Sequence, residues 1–170
     1  MAESRRPVCL VTGAARRIGA AIVEHLADRF DVAIHFHRSA GEAELVRAQC
    51  MAKGARAELF CADLADHPAV AGLVREVAAR FGRLDLVVSS ASRFEYDAPS
   101  DFDAGQMAGL LGVNLVAPLV IAREFARVGS DEATLVCLLD NKVLAPNPDF
   151  FSYSLGKLAL HGAMDMLALH

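Results

Sequence analysis

The stretch Val8-Cys9-Leu10-Val11-Thr12-Gly13-Ala14-Ala15-Arg16-Arg17-Ile18-Gly19 passes from an apolar run into a small-residue turn bounded by glycines. A short apolar run closed by turn residues reads as a strand covered on both faces, here Val8–Thr12. A helical pattern follows over Arg17–Arg29. Small residues in the turn let the backbone come close to a bound group. The helix N-terminus adds free N–H groups and a positive dipole end, which favour an anion. Two glycines alone also fit a plain tight turn. After a first strand and at the opening of a helix, they fit a cradle for the pyrophosphate of a dinucleotide.

Outward from this unit the same alternation repeats. Strand-like runs at Val32–Phe36, Ala57–Cys61, Leu86–Ser89 and Thr134–Leu139 are separated by helical patterns at Ala40–Lys53, Pro68–Phe81 and about Phe102–Val128, with a last one from Phe151. Gly54 and Gly82 read as helix stops, and Asp66 before Pro68 as a helix start. Five strand–helix alternations predict a parallel sheet with right-handed crossovers: an α/β, Rossmann-type doubly wound sheet in three α/β/α layers. The last helical pattern reaches His170 with no Gly, Pro or polar cap, and no strand follows. A doubly wound dinucleotide fold has a sixth strand. The expectation is a single domain over 1–170, truncated after the fifth strand and its helix, which binds its cofactor weakly at best.

At 170 residues the chain has a one-domain length, and a 54% hydrophobic share against 22% charged, with a mean hydropathy of +0.32, excludes intrinsic disorder. The net charge of -4 with no basic block argues against nucleic acid as partner. The uncharged run Gln106–Ala122 contains Asn114 and Pro118 and reads as a buried helix rather than a membrane span. Met1–Pro7 is charged and lacks the apolar core of a signal peptide. Cys9, Cys50, Cys61 and Cys137 lie far apart without ligand spacing. They read as buried free thiols in a reducing cytoplasm, with no metal site.

Three further places carry chemistry. The second strand ends in Ile34-His35-Phe36-His37-Arg38-Ser39, without the carboxylate that reads a ribose 2′-hydroxyl. Arg38 and Ser39 offer a guanidinium and a hydroxyl suited to a 2′-phosphate, so the pattern points to NADPH. Arg38 also fits an ordinary loop charge. Tyr153 and Lys157 stand at i and i+4, on one helix face. Such a tyrosine can protonate a carbonyl or imine, provided that the neighbouring ammonium lowers its pKa. Asn114 lies within an apolar helix and calls for a hydrogen-bonding role there.

Together these residues resemble the short-chain dehydrogenases/reductases, whose signature Thr-Gly-x-x-x-Gly-x-Gly is matched from Thr12 to Gly19 except at Arg17. Arg17 at the middle glycine, the His-x-His-Arg-Ser string and Asp140 thirteen residues before Tyr153 are similar to the pteridine reductase branch, which includes dihydromonapterin-type reductases. The resemblance implies a cofactor site of Gly13, Arg16, Arg17, Ile18, Gly19, His37, Arg38, Ser39, Asp63, Leu64, Ser90, Ala91, Tyr153 and Lys157, with Asp63 near the adenine. It implies Tyr153 as proton donor, Lys157 on the nicotinamide ribose, and Asn114 shaping the helix and a water relay. Asp140 would pair with Tyr153, and Ser92 and Phe94 would contact a flat pterin. Ser89 and Ser90 replace the family's asparagines. A homo-oligomer, dimer or tetramer, is implied for the full-length protein. A general carbonyl or 3-oxoacyl reductase is the other enzymatic reading; a nucleotide-binding or interaction module without turnover is the non-enzymatic one.

Overall fold

The computed structural model describes residues 6–169; the expectations for the extreme N-terminus and for the end at His170 lie outside the described residues. Strands β1 (Val8–Val11), β2 (Asp31–Phe36), β3 (Ala57–Cys61), β4 (Leu86–Ser89) and β5 (Thr134–Cys137) form one sheet in the order β3-β2-β1-β4-β5. Every pairing is parallel. After β3 the chain returns across the sheet to lay β4 on the free side of β1. That reversal opens a crevice above the C-terminal ends of β1 and β4, where doubly wound sheets bind ligands.

The sheet is covered on both faces, as its apolar runs predict. Leu10, Ala33 and Val87 pack under α3 (His67–Phe81) and α5 (Ala117–Val128). Cys9, Val11, Val32, Ile34 and Val88 pack under α1 (Arg17–Leu26) and α2 (Ala40–Ala52). The local signals act as read. The Asp66 carboxylate accepts the Ala69 N–H at 3.1 Å to cap α3, Pro68 sits in its first turn, and Gly82 closes it with φ at 79°.

The structure departs from the reading in four places. The long fourth helix runs unbroken over Ala104–Val128 as read, but a π-turn over Gly112–Val116 divides it into α4 (Ala104–Leu111) and α5. Pro118 has no N–H for the Asn114 carbonyl and its ring crowds that oxygen. The extra residue of the wider turn relieves the conflict. The expected buried helix over 106–122 is buried along one side only, with Leu110, Asn114, Ala117 and Ile121 inward and most of the rest part-exposed. Residues 104–128 are long and apolar enough to cross a membrane, yet their buried side packs on α3 and on α6 (Phe151–Ala168). Cys61 is exposed at the end of β3, not buried. Finally, β5, at the sheet edge as expected, is shorter than read and stops at Cys137, before Leu138 and Leu139.

Candidate functional site

Two clefts of about 620 and 670 Å³ run along the C-terminal ends of the strands and share Gly13, Arg16, Ala91 and Ser92, so they form one groove across the crevice. His37, Arg38, Ser39, Asp63 and Leu64 line the end above β2 and β3. Arg17, Ile18, Gly19, Ser90, Phe94, Asp140, Tyr153 and Lys157 line the end above β4 and β5. Of the residues read from the sequence, Asn114 alone stands behind the groove wall rather than on it.

The glycines of the first turn are there for space. Gly13 has φ at 65°, and a Cβ on it would lie 2.9 Å from the Ala91 Cα; a Cβ on Gly19 would lie 2.3 Å from the Gly13 carbonyl oxygen. Neither position admits a side chain, and the bare backbone forms the floor of the groove. Arg17 also holds a left-handed φ, 53°. Its position is one where glycine is unstrained and any other residue carries a cost of about 1 kcal/mol. Thr12, whose N–H still donates to the Val88 carbonyl at 3.0 Å, accepts the Ser90 and Ala91 N–H groups on its hydroxyl oxygen, at 3.0 and 3.1 Å. That bond anchors the loop after β4 although the family's asparagines are missing from it.

At the β2–β3 end, Arg38 is exposed and, among the described residues, makes no ion pair. It is free to meet an anion. His37 lies 3.8 Å from Asp63, whose carboxylate also accepts the Ala65 N–H at 2.9 Å and shapes the turn after β3.

At the other end the side chains converge. The Tyr153 hydroxyl donates to Asp140 at 2.8 Å, and Asp140 accepts the Lys142 N–H at 2.9 Å. Those two donors hold the Asp140 carboxyl below the usual carboxylate range. Burial, and then the Asp140 charge, push the Tyr153 phenol well above its ordinary 10. This reverses the expectation that Lys157 lowers it. Lys157 donates instead to the Leu138 carbonyl at 2.7 Å, with its ammonium 5.8 Å from the centre of the tyrosine ring. Burial also lowers the Lys157 pKa. Tyr153 therefore keeps its proton through the neutral range beside an ionised Asp140.

Asn114, carried into place by the π-turn, holds the loop that faces Tyr153. Its carbonyl oxygen accepts the Arg93 N–H at 2.8 Å and the Ser92 hydroxyl at 3.2 Å, and its amide donates to the Arg93 carbonyl at 2.7 Å. Phe94, on the same loop, stacks on Phe150 at 4.1 Å between centroids and meets the Tyr153 ring edge-on at 4.7 Å.

Three residues of the site went unread in the sequence. Asp97 is buried and caps α6 from the loop after β4, accepting the Ser152 N–H at 3.0 Å and the Ser152 hydroxyl, while its carbonyl accepts the Phe151 N–H at 3.2 Å. Its signal is absent locally, because the helix it caps begins 54 residues later. Phe150 precedes α6 with a left-handed φ of 57°. His35, 2% exposed, lines the β2–β3 end of the groove; its place in the His-x-His string was the available clue.

A family model described as short chain dehydrogenase matches residues 7–170. Pteridine reductase 1 of Leishmania tarentolae is 29% identical, over 96% of this chain and 71% of that protein. A hydroxynaphthalene reductase of Aspergillus fumigatus is 36% identical over 68% of this chain, which spans only 43% of the fungal enzyme. Among solved structures, that of FolM alternative dihydrofolate reductase 1 from Brucella suis, in complex with NADP, superposes with a TM-score of 0.90 and 37% identity, over 96% of this chain and 69% of that one.

Proposed function

The chain belongs to the short-chain dehydrogenase family, and from that premise we propose that it is an NADPH-dependent reductase acting on a pterin. The observation that carries this reading is the Tyr153–Asp140 hydrogen bond at the end of the groove, beside the aromatic ring of Phe94. The groove suits a dinucleotide by its own construction, with two glycines that admit no Cβ under its middle and an unpaired Arg38 at the 2′-phosphate end. The NADP complex of the Brucella protein supports the same cofactor.

NADPH would lie with its pyrophosphate at Gly13, Arg16, Arg17, Ile18 and Gly19, its 2′-phosphate at His37, Arg38 and Ser39, and its adenine by Asp63 and Leu64. Ser90 and Ala91 would back it, and Lys157 would take the nicotinamide ribose. Bound there, it supplies a hydride to the substrate. Tyr153 holds the proton that the substrate nitrogen or oxygen receives, and the ionised Asp140 keeps the phenol oriented. Ser92 and Phe94 face a flat heterocycle, and Asn114 fixes their loop. Leu138 and Leu139 add apolar surface to this end of the groove.

A general carbonyl reductase is the second reading, favoured by the identity to the fungal hydroxynaphthalene reductase. NADPH oxidation with dihydropterins, set beside a 3-oxoacyl thioester and a quinone, separates the two. Turnover of the dihydropterin alone is expected. Turnover of the thioester or quinone without the dihydropterin would leave the general reductase standing. We also propose a cytoplasmic homo-oligomer.

A further inference from the structure

His35 sits at a junction of the groove that neither the tyrosine–lysine pair nor the 2′-phosphate pocket uses. Its Nδ1 accepts the Gly13 N–H at 3.1 Å, and its own carbonyl accepts the Ala14 N–H at 2.9 Å. An Nδ1 that receives an N–H carries no proton. The proton is therefore on Nε2, which donates to the Ala62 carbonyl at 3.1 Å. Burial pushes this imidazole down to about 4, so it remains neutral in that one tautomer at neutral pH.

Both side-chain bonds reach main chain, and they reach opposite walls. Gly13 opens the pyrophosphate turn, and Ala62 precedes Asp63 in the turn on the adenine side. Gly13 is in turn wedged against Ala91, with no room for a Cβ. A shift of either turn breaks a buried hydrogen bond of the ring. We propose that His35 is a positioning residue of the nucleotide site, a strut that fixes the span between the pyrophosphate turn and the adenine-side turn. This rests on the reading of the groove as a dinucleotide site.

The test is NADPH and NADH affinity by fluorescence titration, with melting temperature measured alongside, for His35→Phe, His35→Asn and His35→Gln. Asparagine places an acceptor near Nδ1 and keeps the Gly13 arm; glutamine reaches toward Ala62 and keeps the other. Loss of both arms in His35→Phe is expected to weaken both cofactors about ten- to a hundredfold, and loss of one arm about three- to tenfold. The NADPH to NADH preference should stay unchanged. Should the phenylalanine variant not fold, the two amide variants carry the test. Folded variants that melt lower but bind with wild-type affinity would reduce His35 to a structural role and overturn the proposal. So would a loss confined to NADPH, or a histidine ¹⁵N spectrum of the wild type with the proton on Nδ1. Wild-type protein that bound neither cofactor would overturn the dinucleotide reading itself, an outcome distinct from undiminished binding by the variants.

Discussion

The proton proposed for transfer rests on Tyr153, whose hydroxyl donates to the ionised Asp140. Removing the hydroxyl removes the donor while leaving the ring packed against Phe94. Tyr153→Phe is expected to lower turnover by about 10²–10⁴, with NADPH affinity nearly unchanged. Near-normal turnover would take Tyr153 out of the chemistry. Arg38 acts at the far end of the groove and on binding alone. Loss of one charge-assisted hydrogen bond costs roughly 1.5–3 kcal/mol, so Arg38→Ala should weaken NADPH about ten- to a hundredfold and leave NADH almost untouched. Equal losses for the two cofactors, measured by titration, would contradict a 2′-phosphate role. Arg17 combines both issues in one residue. Its left-handed φ of 53° is costly for arginine, so Arg17→Gly should hold or raise the melting temperature while weakening NADPH through the lost cation. A lower melting temperature in that variant would mean that the arginine contacts outweigh the backbone strain.

At the scale of elements, what the sequence made legible and what it did not divide along a physical line. The strands β1 to β4 and the ends of α3 follow from local signals: apolar runs for strands covered twice, Asp66 with Pro68 for a start, Gly82 for a stop. The pair Tyr153 and Lys157 shares a helix face because i, i+4 spacing alone places it there. The π-turn was not legible, since the helical pattern continues through it on both sides of Asn114 and only Pro118, four residues after Asn114, marks the strain. Asp97 as the cap of α6, and His35 as a link between two turns, depend on pairings between distant segments that no local pattern encodes. The direction of the tyrosine shift was misread because burial and the Asp140 carboxylate decide it, while Lys157 turns to the Leu138 carbonyl just past β5. The π-turn carries its own prediction. Asn114→Ala would leave the Arg93 N–H and carbonyl without their partners, at about 1–3 kcal/mol. The loop with Ser92 and Phe94 should loosen, which hydrogen exchange at the Arg93 amide reads directly. Unchanged protection of that amide would show that the loop is held by Thr12 and Asp97 without Asn114.

Across the whole molecule, Asp85 ties β1, β4 and β5 together at the end of the sheet opposite the groove. Asp85 accepts the Val8 N–H at 2.8 Å, two bonds from the Arg83 guanidinium at 2.7 Å each, and the Ser130 hydroxyl at 2.8 Å. It thereby joins the start of β1, the approach to β4 and the segment before β5, while the groove lies at the far ends of the same strands. Burial pushes its carboxyl up, but the arginine, the Val8 amide and the serine outweigh this and hold it below the usual carboxylate range. A carboxyl depressed in the folded state contributes stability above its unfolded pKa, near 3.9. That contribution is lost as pH falls through the lower folded value. The Asp85 side chain is 12% exposed, so solvent screens it little. Asp85→Ala should therefore cost roughly 1.5–3 kcal/mol at pH 7, which is about 3–12 °C in melting temperature for a chain of this size. The gap between wild type and variant should stay level from pH 7 to about 5 and narrow only below about pH 4. Cofactor affinity measured well below the melting temperature should not change, because the groove walls are built from other bonds. No gap at pH 7, or one that closes already near pH 6, would show that the ion pair and its hydrogen bonds do not hold this end of the sheet.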